Sequence, residues 1–148
     1  MAALPEVMST PCPCGRTATK ATPKNKTAKT QHLPFSACCG PYLNEATAVP
    51  APDAETLMRS RYSAFVLGRR DYLLATWHAS TRPTELTLDP AAKWLGLEVR
   101  SHRPLDANHA EVAFVARCRE GGRAIRLHEL SRFVREQGHW FYVDGDQF

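Results

Sequence analysis

Long apolar runs are missing from this sequence: none of its 148 residues sits in a stretch approaching the ~20 needed to cross a bilayer. The first residues also lack the basic start, hydrophobic run and cleavage site of a secretory leader, so a cytoplasmic protein is expected. In that reducing compartment thiols stay free or bind metal, which excludes reading the five cysteines as a disulfide framework. Acidic residues are absent from residues 7–44, which hold Arg16, Lys20, Lys24, Lys26 and Lys29; this segment carries +5 of a net +4, and everything else sums to −1. The remainder is nearly neutral. Large apolar side chains are absent from residues 16–30, so this Lys/Thr-rich insertion is expected to be a mobile loop, suited at most to a weak phosphate contact with nucleic acid. No nucleophile–base pair, phosphate-binding glycine loop or open metal site appears, and these absences weigh against a conventional enzyme.

Three stretches follow one another: a cysteine-bearing head (1–45), a Pro/Ala-rich linker (46–52) and a patterned body (53–148). In the body, Asp53 is placed to cap a helix whose first turn carries Glu55. Ala54, Met58, Tyr62, Phe65 and Val66 recur at helical spacing before Gly68. A second helix is expected over residues 71–78 with Asp71 as its cap. Beyond Trp94 the period becomes two: Leu95, Leu97 and Val99 alternate with Gly96, Glu98 and Arg100, and Ala110 to Cys118 behaves likewise. Gly121-Gly122 and Gln137-Gly138 supply hairpin turns into residues 123–136 and 139–144. Helices first and a four-stranded meander afterwards predict an α+β fold, with the helices covering one face of an antiparallel sheet.

Cys12-Pro13-Cys14-Gly15 and Cys38-Cys39-Gly40-Pro41 offer four thiolates, the number that fills a tetrahedral structural zinc site. A disulfide between adjacent Cys38 and Cys39 would force an uncomfortable ring, whereas two ligands on one ion do not. The 23 residues between the pairs are no obstacle. Each doubling of a loop adds only ~0.6 kcal/mol, against an apparent ~10–16 kcal/mol for structural zinc. All-sulfur ligation favours zinc, and iron fits the same tetrahedron.

In the body, His128-Glu129 lacks the second histidine of a metalloprotease helix, since Arg132 stands there. Strand parity sets Glu129 with Ile125, Leu127 and Phe133 on the core side, where a carboxylate needs a partner, and Arg61 near the apolar stripe of the first helix is the expected one. Arg61 and Glu129, with Tyr62, Trp77, Tyr142 and Asp144, are expected to form a buried network or to line a ligand pocket.

The cysteine head resembles the SEC-C motif, the small zinc knuckle also found at the C-terminus of the SecA translocation ATPase. Leu57-Met58-Arg59-Ser60-Arg61-Tyr62-Ser63-Ala64-Phe65, His128-Glu129-Leu130-Ser131-Arg132-Phe133 and Trp140-Phe141-Tyr142-Val143-Asp144-Gly145 resemble the YchJ family of uncharacterised bacterial proteins. The resemblance implies a cystatin-like fold of the nuclear-transport-factor-two kind, a curved sheet wrapped around helices. It also implies a metal-binding adaptor whose knuckle docks a macromolecular partner, translocation- or ribosome-related. The alternative is a small-molecule binder or enzyme using the body's cavity, with Glu129 or Asp144 as acid or base.

Overall fold

A computed structural model describes residues 10–20, 29–44 and 49–148. Residues 21–28 of the Lys/Thr-rich insertion and 45–48 at the start of the Pro/Ala-rich linker lie outside the described residues.

The head begins with a hairpin in which β1 (Thr17–Lys20) pairs antiparallel with β2 (Lys29–His32). The irregular loop expected over residues 16–30 is thus replaced at both ends by strand. The reason lies at the base of the hairpin, where Leu33 donates to the Arg16 carbonyl (3.0 Å) and Cys12 to the Leu33 carbonyl (2.9 Å). Once those ends are held in register, the ladder can form without an apolar face of its own. A 3-10 turn (Phe35–Ala37) and a single helical turn, α1 (Gly40–Leu43), complete the head.

Helix α2 spans Ala54–Leu67 and begins and ends as its sequence dictates: Asp53 Oδ1 accepts from the Thr56 N–H at 2.7 Å, and Gly68 closes it in the left-handed region. Helix α3 is shorter than expected and starts earlier, at Arg70–Ala75, so Asp71 lies within its first turn and does not cap it. Its end is set by Thr76, whose hydroxyl turns back to the Tyr72 carbonyl at 2.8 Å. The chain then runs to the sheet, where His78 donates to the Tyr142 carbonyl (2.7 Å) and Tyr142 to the Thr76 carbonyl (2.8 Å).

Strands β3 (Lys93–Asp106), β4 (His109–Glu120), β5 (Arg123–Glu136) and β6 (His139–Gln147) form the expected antiparallel meander in the order β3-β4-β5-β6. The fold is α+β, with few helices on a four-stranded antiparallel sheet and a cysteine cluster before it. Two bulges change the predicted alternation. One, between Trp94 and Gly96, turns Leu95 out to solvent (53% exposed) while Trp94, Leu97 and Val99 pack on the core. The other lies between β5 and β6 at Arg132/Phe133, opposite Tyr142 and Asp144. One buried cluster runs from Cys12, Cys14 and Cys39 through Leu57, Met58 and Tyr62 of α2 to Val112, Phe114 and Phe133 of the sheet. Among the described residues no helix is long and apolar enough to cross a membrane.

Candidate functional site

Two constellations meet on opposite sides of α2. The first is the cysteine centre. Gly15 donates to the Cys12 carbonyl (3.1 Å) and closes the first turn; Cys38 donates to the Phe35 carbonyl (3.1 Å) and shapes the second. Gly40 is required there, because a Cβ at that position would stand 2.7 Å from the Phe35 carbonyl oxygen. The turns bring the sulfurs of Cys12, Cys14, Cys38 and Cys39 within 4.8 Å of one another, with Cys14–Cys38 at 3.5 Å and Cys38–Cys39 at 4.0 Å.

This donor set fits a metal ion. Metal–thiolate bonds of ~2.3 Å at tetrahedral angles separate sulfurs by ~3.8 Å, inside the observed range. The electrostatics agree. Hydrogen bonds from Cys14, Cys38 and Cys39 hold the Cys12 thiol far below its ordinary pKa, so one thiolate forms readily. The hydrogen bonds that Cys38 and Cys39 make to Cys12 and Cys14 push both of their thiols far up, because a further negative sulfur would crowd onto the first. Only a shared cation lets all four ionise together. Four thiolates around one ion would fill a tetrahedron and leave no position open for a substrate, the pattern of a structural site.

Helix α2 surrounds this centre with donors. Arg59 Nη1 donates to the Cys14 carbonyl at 3.1 Å and lies 4.0 Å from its sulfur, and its Nε donates to Glu55 at 2.9 Å. Ser63 Oγ is 3.6 Å from the Cys12 sulfur, and Arg16 donates to Thr56 Oγ1 at 3.0 Å. Such outer groups orient ligands and offset their negative charge. Neither Arg59 nor Ser63 is obvious from composition. Their spacing is a usable signal, because Glu55, Arg59 and Ser63 recur every four residues along one helix face.

The second constellation is a cavity of about 360 Å³ between α2 and the sheet. Its walls are aromatic, and its exposed lining residues Thr87, Asp89 and Glu120 mark the rim. Arg61, only 6% exposed, enters from α2: Nη1 donates to the Leu73 carbonyl and to Thr76 Oγ1, both at 2.7 Å. Its guanidinium carbon lies 5.2 Å from the centre of the Trp77 ring and 4.8 Å from that of Tyr142. Burial holds the Arg61 pKa down to about 10. On the opposite wall Glu129, 8% exposed, accepts through Oε1 from Ser131 Oγ and from the Tyr142 hydroxyl, each at 2.9 Å. Desolvation, and the negative charge of Glu129 behind it, push the Tyr142 pKa upward.

Of the six body residues singled out from sequence, Arg61, Tyr62, Trp77, Glu129 and Tyr142 all line this cavity. Glu129 is buried, as its parity requires. Its expected ion pair with Arg61 does not form; Tyr142 stands between them and serves both. Asp144 is not in the cavity: it is exposed and accepts from Arg132 Nε at 2.6 Å. The bulge at Arg132/Phe133 is the cause, because it reverses the alternation between Tyr142 and Asp144 and turns Gly145 inward in place of Asp144. A Cβ on Gly145 would overlap Glu129 Oε1 and stand 2.7 Å from Cδ, so this glycine is what leaves room for the carboxylate. A larger depression of about 520 Å³ lies against α1 and β6, but its charged lining residues Arg69, Asp71 and His139 are not buried.

With cysteine centre and cavity in view, comparison with known proteins identifies the lineage. A family model described as the YchJ middle, NTF2-like domain matches residues 53–145. The chain belongs to the YchJ family. A UPF0225 protein of Polaromonas naphthalenivorans is 75% identical over 141 residues, covering 95% of this chain and 100% of that one; a UPF0225 protein of Bordetella pertussis is 53% identical over 136 residues, covering 91% of each. Among solved structures, a SEC-C motif containing protein from Psychrobacter arcticus matches at 30% identity and a TM-score of 0.72, over 94% of this chain and 83% of that one. A SEC-C motif containing protein from Rhodopseudomonas palustris matches at 30% identity and 0.69, over 80% and 94%. For a YchJ family member the cavity is thus the interior of the NTF2-like domain, and the cysteines are its SEC-C-like appendage.

Proposed function

We propose that this protein binds a small molecule in the α2–sheet cavity, and that a zinc ion held by Cys12, Cys14, Cys38 and Cys39 braces the helix that forms one wall. The observation that carries this reading is Trp77 Nε1, a buried indole N–H of a residue that lines the cavity, which has no hydrogen-bond partner among the described residues. A closed structural network would satisfy this donor, since leaving it unmatched costs about 1–3 kcal/mol. Beside it Arg61 donates through Nη1 alone and Glu129 accepts through Oε1 alone, so each keeps further polar atoms that are open to solvent. A cavity with aromatic walls and a few converging polar groups is the usual form of a small-molecule site. The complementary ligand has an apolar or aromatic body, an acceptor facing Trp77 Nε1 and Arg61, and a donor facing Glu129.

The cysteine centre supports a bracing role over a free docking head, because Arg59 and Ser63 tie it to α2. Zinc supplies no reaction here; bound, it fixes the two cysteine turns against the helix.

The test is a ligand screen on zinc-loaded protein by thermal shift, with native mass spectrometry of gently purified material, on wild type and on Ala116→Phe, which fills the cavity. The reading expects compounds that stabilise wild type by several degrees and leave Ala116→Phe unmoved. If stabilisation is equal in both, the cavity is not the site. A protein partner lost on Cys38→Ser and indifferent to Ala116→Phe would favour docking through the head.

A further inference from the structure

The outer face of the sheet carries an arrangement that stability alone disfavours. Lys93 of β3 stands directly opposite Arg119 of β4, and Arg117 of β4 directly opposite Arg126 of β5. Like charges in directly opposed cross-strand positions repel. All four residues are exposed, and none has an ion-pair or hydrogen-bond partner among the described residues. Strand parity puts Arg117 and Arg119 on one face and Arg126 and His128 on the same face, so the four cations form a grid ~5 Å across strands and ~7 Å along them. The nearest acid on this face, Glu98, is neutralised by Arg100 at 3.1 Å.

An aromatic platform borders the grid. Phe148 donates its backbone N–H to the His128 carbonyl at 2.9 Å, which extends the β5–β6 pairing and sets both rings on the outer face. The ring centres are 5.1 Å apart, and Phe148 is 76% exposed. This is an unusual position for a large apolar ring, and it leaves one aromatic surface free beside four unpaired cations.

We propose that this face binds single-stranded nucleic acid, with Lys93, Arg117, Arg119 and Arg126 contacting successive phosphates and Phe148, backed by His128, stacking on a base. The combination of a positive track with a sequence-tolerant stacking surface is what single strands require. A second copy of this chain is a poor occupant, because a two-fold contact would set the cations against themselves. The body's nearly neutral total charge conceals the patch, since its acids lie elsewhere.

The test is fluorescence anisotropy of labelled oligo(U) and oligo(dT) with the metal-loaded full chain over a salt series. Binding of either strand is expected, with log K falling against log salt at a slope of about −3 for four phosphate contacts. Arg126→Glu should weaken binding by about tenfold or more and lower the slope's magnitude by ~0.7 or more. The same substitution turns a repulsive cross-strand pair into an attractive one, so its melting temperature should rise by roughly 1–4 °C, separating lost binding from lost folding. Phe148→Ala should cost about tenfold with little change in slope. The proposal is overturned if binding is salt-independent, if duplex DNA or polyglutamate binds as tightly as the single strands, or if binding survives Arg126→Glu and is abolished by Lys24→Ala with Lys26→Ala. None of these outcomes depends on the cavity being occupied.

Discussion

Arg59 reaches from the middle of α2 to the carbonyl oxygen of Cys14, a 3.1 Å hydrogen bond across 45 residues of sequence that joins the cysteine-bearing head to the helix walling the cavity. Through it, the state of the cysteine centre becomes a matter of body stability and of the shape presented to a ligand.

Removing the metal should therefore destabilise the body as well as the head. Chelation of the zinc-loaded protein, or Cys38→Ser, is expected to lower the melting temperature of the whole transition, and Arg59→Ala to reproduce about 1.5–3 kcal/mol of that loss with metal still bound. Thermal unfolding paired with metal analysis checks both. An unchanged transition after complete metal removal would mean the centre and body are uncoupled.

Gly145→Ala should destabilise the protein by about 1–3 kcal/mol, because the added methyl occupies the space of the Glu129 carboxylate. Combined with Glu129→Ala, the same change should cost far less. Urea denaturation of the two single variants and the double variant measures this coupling, and simple additivity would show the two residues do not share that space.

Arg61 and Glu129 are coupled through Tyr142 and not by direct contact. A double-mutant cycle for Arg61→Ala and Glu129→Ala is expected to give under ~1 kcal/mol of interaction, and that remainder should vanish in a Tyr142→Phe background. Tyr142→Phe alone should cost about 1–3 kcal/mol, leaving Glu129 with Ser131 as its one hydroxyl donor. Asp144→Asn, on the far face, should change stability by less than ~1 kcal/mol.

All four tyrosines have their pKa raised by burial: Tyr62 and Tyr72 to about 12, Tyr42 and Tyr142 upward as well. A phenol harder to ionise when folded binds more protons in the native than in the unfolded chain once pH passes 10. Its contribution is thus complete below pH ~10 and is lost as pH rises toward 12. Phenolate absorbance of the folded protein should show no tyrosine titrating at its ordinary value, and unfolding free energy should fall through that window. A tyrosine ionising near pH 10 in the folded state would contradict the burial described.

The cysteine cluster, the capped α2, the meander and the inward parity of Glu129 were legible in the residues, because each depends on local chemistry: turn glycines, a capping carboxylate, a two-residue alternation. The sequence by itself thus determined the elements of the body, their order and which four cysteines cluster, whereas the hairpin of the head, held at its base by Leu33 and Arg16, was not legible in it. What Glu129 touches, where Asp144 points and how four cations gather on a nearly neutral body were decided only by tertiary structure. A single bulge at Arg132/Phe133 reverses side-chain parity along β6 and exchanges Asp144 for Gly145 beside the carboxylate, and strand register sets arginines 9 positions apart face to face. Bulges and register are fixed by how whole strands pack together, so no short window of sequence contains them.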